Sequence, residues 1–191
     1  LHQLSPRQAP DQLLSRLAEN EDVLIGVRDL LAEAVKANRR ITPAGEWLLD
    51  NFYLIEEQIR TAKRHLPKGY SRELPRILDS STAELPRVYA IALETISHGD
   101  GRVDPGSLSS FVAAYQTITG LTLGELWAIP IMLRLALIEN LRRAATRIAA
   151  DGQLVASRGW LKLAAGVVII AFGLSGLAHA ARVAGHESPV I

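Results

Sequence analysis

The sequence has no cysteine, one methionine and almost no excess of either charge, and each shortage removes a class of function. Without cysteine there is no disulfide frame, no thiol nucleophile and no thiolate metal site, and redox chemistry is silent on compartment. The 21 basic and 20 acidic residues leave a net charge of +1, without the basic surplus of a nucleic-acid-binding protein, so no nucleic acid partner is expected. Phosphate-loop, dinucleotide, zincin and nucleophile-elbow motifs are all missing, which leaves phosphate cradles, HExxH metal sites and serine-hydrolase chemistry without support. Period-2 apolar alternation, the mark of half-buried strands, is also lacking, and the fold class that remains is all-α.

What is present is a chain of 191 residues, 48% hydrophobic, long enough for one core-bearing domain and a short appendage. Leu1 stands where a Met is usual and polar residues follow it. No charged stretch leads into an apolar run as in a signal peptide, so the main domain is expected in the cytoplasm and the chain reads as a fragment or an alternative start.

Helix punctuation divides the chain. From Asp11 to Lys36 the leucines recur at helical spacing, with Asn20-Glu21-Asp22 as a break between two helices. Thr42-Pro43 is a cap followed by a proline that needs no N–H, and the helix it opens carries Leu48, Phe52, Ile55, Ile59 and Ala62 on one face up to Leu66-Pro67. The stretch to Leu85 reads as loop with short helical turns. Pro86 begins a helix lined by Val88, Ala92 and Ile96, and Asp104-Pro105 begins another whose buried stripe is Leu108, Phe111, Val112 and Tyr115. Thr122 and Glu125 form a capping box ahead of a helix from Leu123 to about Ala150, with a kink expected near Pro130.

After Asp151 comes Leu163 to Ala181, LAAGVVIIAFGLSGLAHAA. Its length suits one C-terminal transmembrane helix, while its Gly, Ser and His content leaves a buried or interfacial helix as the alternative. Arg142, Arg143, Arg147, Arg158 and Lys162 precede it and only Arg182 closely follows, so the preceding part should stay cytoplasmic.

Candidate chemistry is sparse. His98, Asp100 and Asp104 supply ligand types, but HGDGRVDPGSL lacks the alternating ligands of a calcium loop and reads as a turn and cap. Glu46 and Asp50 share a helix face near an N-terminus, where the macrodipole already favours carboxylates. Arg134, Arg142 and Arg143 could meet phosphate, but Glu139 one turn before Arg143 points to a solvated face. Trp47, Phe52, Tyr53, Phe111, Tyr115 and Trp127 sit at helix-face positions that suit core packing. No catalytic, cofactor-binding or metal residue is expected.

Between Ile41 and Arg147 several blocks in order, TPAGEWLLDNFYLIEEQIR, LPKGYSRELPR, PRVYAIALE, FVAAYQ and LTLGELWAIPIMLRLALIENLRR, resemble the N-terminal region of bacterial cyclic β-1,2-glucan synthases. That resemblance implies a place upstream of a membrane-embedded glycosyltransferase that uses UDP-glucose and of a phosphorylase-like domain. It also implies a bacterial inner-membrane location and, as partners, the downstream glycosyltransferase and membrane domains of the same or a neighbouring chain. The transferase motifs of the family, Asp-x-Asp and Gln-x-x-Arg-Trp, have no counterpart here, so no catalytic residue carries over and the chain alone is expected to be inactive. The expected organisation is residues 1–40 as N-terminal amphipathic helices, 41–152 as the family-like helical module, and 153–191 as an apolar tail holding the membrane helix 163–181. The expected function is a non-catalytic segment that supports or positions the synthase. The alternative is a free-standing membrane-anchored helical interaction or regulatory protein, for which the apolar tail behind a polar domain is the motive.

Overall fold

A computed structural model describes residues 4–5, 12–77, 85–99, 101 and 103–150. Six helices lie among them: α1 (Gln12–Lys36), α2 (Pro43–Asp50), α3 (Phe52–His65), α4 (Arg87–His98), α5 (Pro105–Gln116) and α6 (Leu123–Ala150). Two short strands, β1 (Leu4–Ser5) and β2 (Arg76–Ile77), pair antiparallel with Leu4 opposite Ile77. They are too short to form a layer, and the described residues are mostly helical, as the all-α reading expected. The expected membrane helix 163–181 lies outside the described residues, and no described helix is long and apolar enough to cross a membrane.

The position of α6 follows from its sequence. Ile131, Met132, Leu133, Leu135, Ala136, Leu137 and Ile138 are all buried. A helix apolar on every side must be surrounded, and α6 is the axis on which α1, α2, α3 and α4 pack. α1 and α4 lie along it most closely, and α3 joins them. Ala128, Ala136 and Ala145 are fully buried on α6; their small side chains let neighbouring backbones approach.

α1 is one unbroken helix of 25 residues, where a break at Asn20 was expected. Asn and Asp cost a helix at most about 0.7 kcal/mol each relative to Ala. Leu17 and Leu24, buried on either side of the polar residues, outweigh that. Asn20 itself is buried, and Glu21 pairs with Lys63 of α3.

The helix expected from Thr42 is in fact two. Thr42 caps α2 as its sequence suggests, its hydroxyl accepting from the Gly45 N–H at 3.1 Å. Asn51 then leaves helical geometry at φ −109°, ψ 12°. Its side-chain nitrogen donates to the Trp47 carbonyl at 2.9 Å, the local competition with the helix ladder that makes Asn a helix divider. The apolar face continues across the break, with Leu48, Phe52, Ile55, Ile59 and Ala62 all buried.

Pro86 caps α4 from outside rather than entering its first turn, and the Arg87 N–H donates to the Pro75 carbonyl at 2.7 Å. Val88, Ala92 and Ile96 are buried as their spacing required. The stripe expected on α5 is not: Leu108, Phe111, Val112 and Tyr115 are only half-buried, and α5 contributes no fully buried side chain among the described residues. Tyr53 and Trp127 also depart from the core-packing expectation, at 61% and 64% exposed. The 28-residue α6 runs through Pro130, its packed surroundings keeping helical backbone where the Leu126 carbonyl has lost a donor.

Candidate functional site

The candidate site is a pair of buried carboxylates, Glu125 and Glu139, on the helix that forms the axis of the fold. Glu125 lies in the first turn of α6 and is fully buried. The capping box forms as the sequence suggested: the Thr122 N–H donates to Glu125 Oε2 at 2.8 Å, and the Glu125 N–H to Thr122 Oγ1 at 3.3 Å. The structure adds Arg87 from α4, whose Nε donates to Oε1 at 2.8 Å and whose Nη2 donates to Oε2 at 2.6 Å. The same Nη2 reaches the Gly120 carbonyl at 3.1 Å, and the guanidinium lies 5.9 Å from the centre of the Tyr115 ring. One buried arginine therefore ties α4 to α5, to the α5–α6 turn and to the start of α6.

Glu139 lies further along α6 and is 1% exposed. Arg16 of α1 donates through one nitrogen to both carboxylate oxygens at 2.9 Å. Arg143, one turn on, donates to Oε1 at 2.7 Å, and the Tyr89 hydroxyl of α4 donates to Oε2 at 2.7 Å. The solvated face expected for the arginines holds at Arg143, but Glu139 does not share it: the stripe Ala128, Met132, Leu135, Glu139 turns inward. Its arginines are the solvated partners, with side chains 40% and 53% exposed.

Burial alone would raise both carboxyl pKa values. At Glu125 the Arg87 guanidinium and the Thr122 donors outweigh it, and the pKa lies below its ordinary value. At Glu139 burial is likewise outweighed by Tyr89, Arg16 and Arg143, with the same net direction. The Tyr89 hydroxyl is pushed well up by burial and by the Glu139 charge, so it remains a donor across the ordinary pH range. A carboxylate has about four acceptor positions, and each of these two receives four hydrogen bonds. At Glu125 three of these bonds fall on Oε2 and one on Oε1, and at Glu139 two fall on each oxygen. The arrangement fixes helices relative to one another.

The residues singled out from sequence are not brought together. Glu46 and Asp50 are exposed on α2. His98 is exposed at the end of α4, 3.2 Å from Glu94, and Asp104 is exposed at the start of α5, its carbonyl accepting from the Leu108 N–H at 2.9 Å. Asp100 lies outside the described residues. Arg134 donates to Gln58 of α3 at 3.1 Å, and burial lowers its pKa. No group of three or more His, Asp or Glu able to hold a metal occurs among the described residues.

No protein-family model matches the chain. Over 139 residues, 73% of its length, it is 40% identical to the cyclic beta-(1,2)-glucan synthase NdvB of Rhizobium meliloti (strain 1021). The resemblance is to a cyclic glucan synthase. The match spans 5% of NdvB, so this chain corresponds to a small piece of that protein.

Proposed function

We propose that this chain is a non-catalytic helical module from the N-terminal region of a cyclic β-1,2-glucan synthase, which supports or positions the synthase at the bacterial inner membrane. The observation that carries the reading is the 40% identity to NdvB over 139 residues. The two buried carboxylates agree with it, because each is held by hydrogen bonds from neighbouring helices and serves helix packing. The glycosyltransferase and membrane domains of the same or a neighbouring chain are its partners in this reading, and UDP-glucose is consumed there.

Two experiments test it. The purified chain mixed with UDP-glucose yields no glucan; robust synthesis would contradict the non-catalytic reading. In bacteria, NdvB lacking the matched segment accumulates poorly or makes less cyclic glucan, and restoring this chain in its place recovers production. Full glucan production without the segment would sink the supporting role.

A further inference from the structure

We infer that the corner where the α5–α6 turn meets the turn after α3 is a docking surface for an anionic lipid bilayer. Ile118, Leu123 and Trp127 are 70%, 71% and 64% exposed there. Leu123 and Trp127 stand one turn apart on α6 and so lie side by side, and Ile118 sits in the turn that feeds the helix. Tyr70 crosses to them, its hydroxyl donating to the Gly124 carbonyl at 3.4 Å. Gly69, at φ +86°, makes that crossing turn, since a left-handed backbone suits glycine.

The crossing turn carries an excess of positive charge, with Glu73 as its acid. Lys68 and Arg72 flank Tyr70, and α3 ends just before them on Lys63, Arg64 and His65; all are exposed. Lys63 is engaged by Glu21. Arg64, Lys68 and Arg72 have no ion-pair partner among the described residues. Glu73 is the sole acid from position 60 to 73.

Apolar tips beside cations on long stems match the two layers of a bilayer surface. Trp, Leu and Ile enter the boundary between headgroups and acyl chains, and Lys and Arg extend to the phosphates. A cation near an anionic surface strengthens binding by about fivefold. Charge complementarity therefore favours a bilayer over an apolar protein groove, which would leave those cations unmatched. The inference stands on this geometry and does not depend on the glucan-synthase reading.

The test uses the full chain, its tail common to every variant, with vesicles of phosphatidylcholine alone or mixed in equal parts with phosphatidylglycerol. Sedimentation should show preference for the mixed vesicles. Lys68→Glu with Arg72→Glu should weaken that binding by about tenfold or more, and Leu123→Ser with Trp127→Ser should weaken it by about tenfold. Equal binding of all three proteins, or no preference for phosphatidylglycerol, overturns the proposal. A second measurement is insensitive to folding losses in those variants: brominated lipids should quench wild-type tryptophan emission more than that of Trp127→Phe. Equal quenching would show that Trp127 never meets lipid and would overturn it too.

Discussion

The start and the middle of α6 each bury a carboxylate, in different ways. At Glu125 both partners are sealed, with side chains 1% and 0% exposed at Arg87 and Glu125. At Glu139 the acid is sealed but its arginines are 40% and 53% exposed. A sealed pair loses hydration on both ions, so removing one leaves a charge with nowhere to go. A carboxylate served by half-solvated arginines has partners that return to water, and Tyr89 remains to hold it. The first arrangement should be brittle and the second tolerant, although the carboxylates accept the same number of hydrogen bonds.

Arg87→Met sharpens the contrast most. It leaves Glu125 buried and unpaired and should cost about 3–5 kcal/mol in urea unfolding; adding Glu125→Gln should recover part of that loss. Recovery of nothing would mean that the uncompensated charge is not the cause. Glu139→Gln keeps the shape but removes charge-assisted bonds, and a smaller loss of about 2 kcal/mol is expected. If it exceeds the Arg87→Met loss, the contrast is broken.

Acid acts on both sites with one sign. Each carboxyl has a folded-state pKa below its ordinary value near 4.5, so its contribution is fully present above that value and is lost as pH falls through the lower folded pKa. Unfolding free energy measured against pH should therefore be flat above about 5 and decline below about 4.5, with a shallower decline in Glu139→Gln. Thr122→Ala removes one cap from the sealed end and should cost about 1 kcal/mol. Arg143→Ala, at the half-solvated Glu139 site, should cost about 0.5 kcal/mol, and salt should erase most of it.

Much of this was legible in the sequence where local chemistry decides. The Thr42 cap, the Thr122–Glu125 box and the span of α6 need only neighbours along the chain. What escaped was decided by other helices. Glu125 reads as a surface cap until Arg87, far away in sequence, arrives from α4. Glu139 follows Leu135 in the buried stripe of α6, a signal that could have marked it as inward, yet its i,i+4 partner Arg143 argued for solvent. The polar run at Asn20 looked like a break because propensity is visible in sequence and the burial of Leu17 and Leu24 against α6 is not. α5 shows the reverse error, an amphipathic pattern with little to pack against.

The central claim is that this module holds shape and leaves chemistry to the rest of a glucan synthase. The most direct measurement places the chain within NdvB in exchange for the matched segment and compares it with the same chimera carrying Glu125→Gln and Glu139→Gln. The quantity read is cyclic glucan formed from UDP-glucose per molecule of membrane-assembled synthase. The account predicts an unchanged rate per assembled molecule, with any loss appearing in the amount assembled. Full assembly with abolished turnover would contradict it.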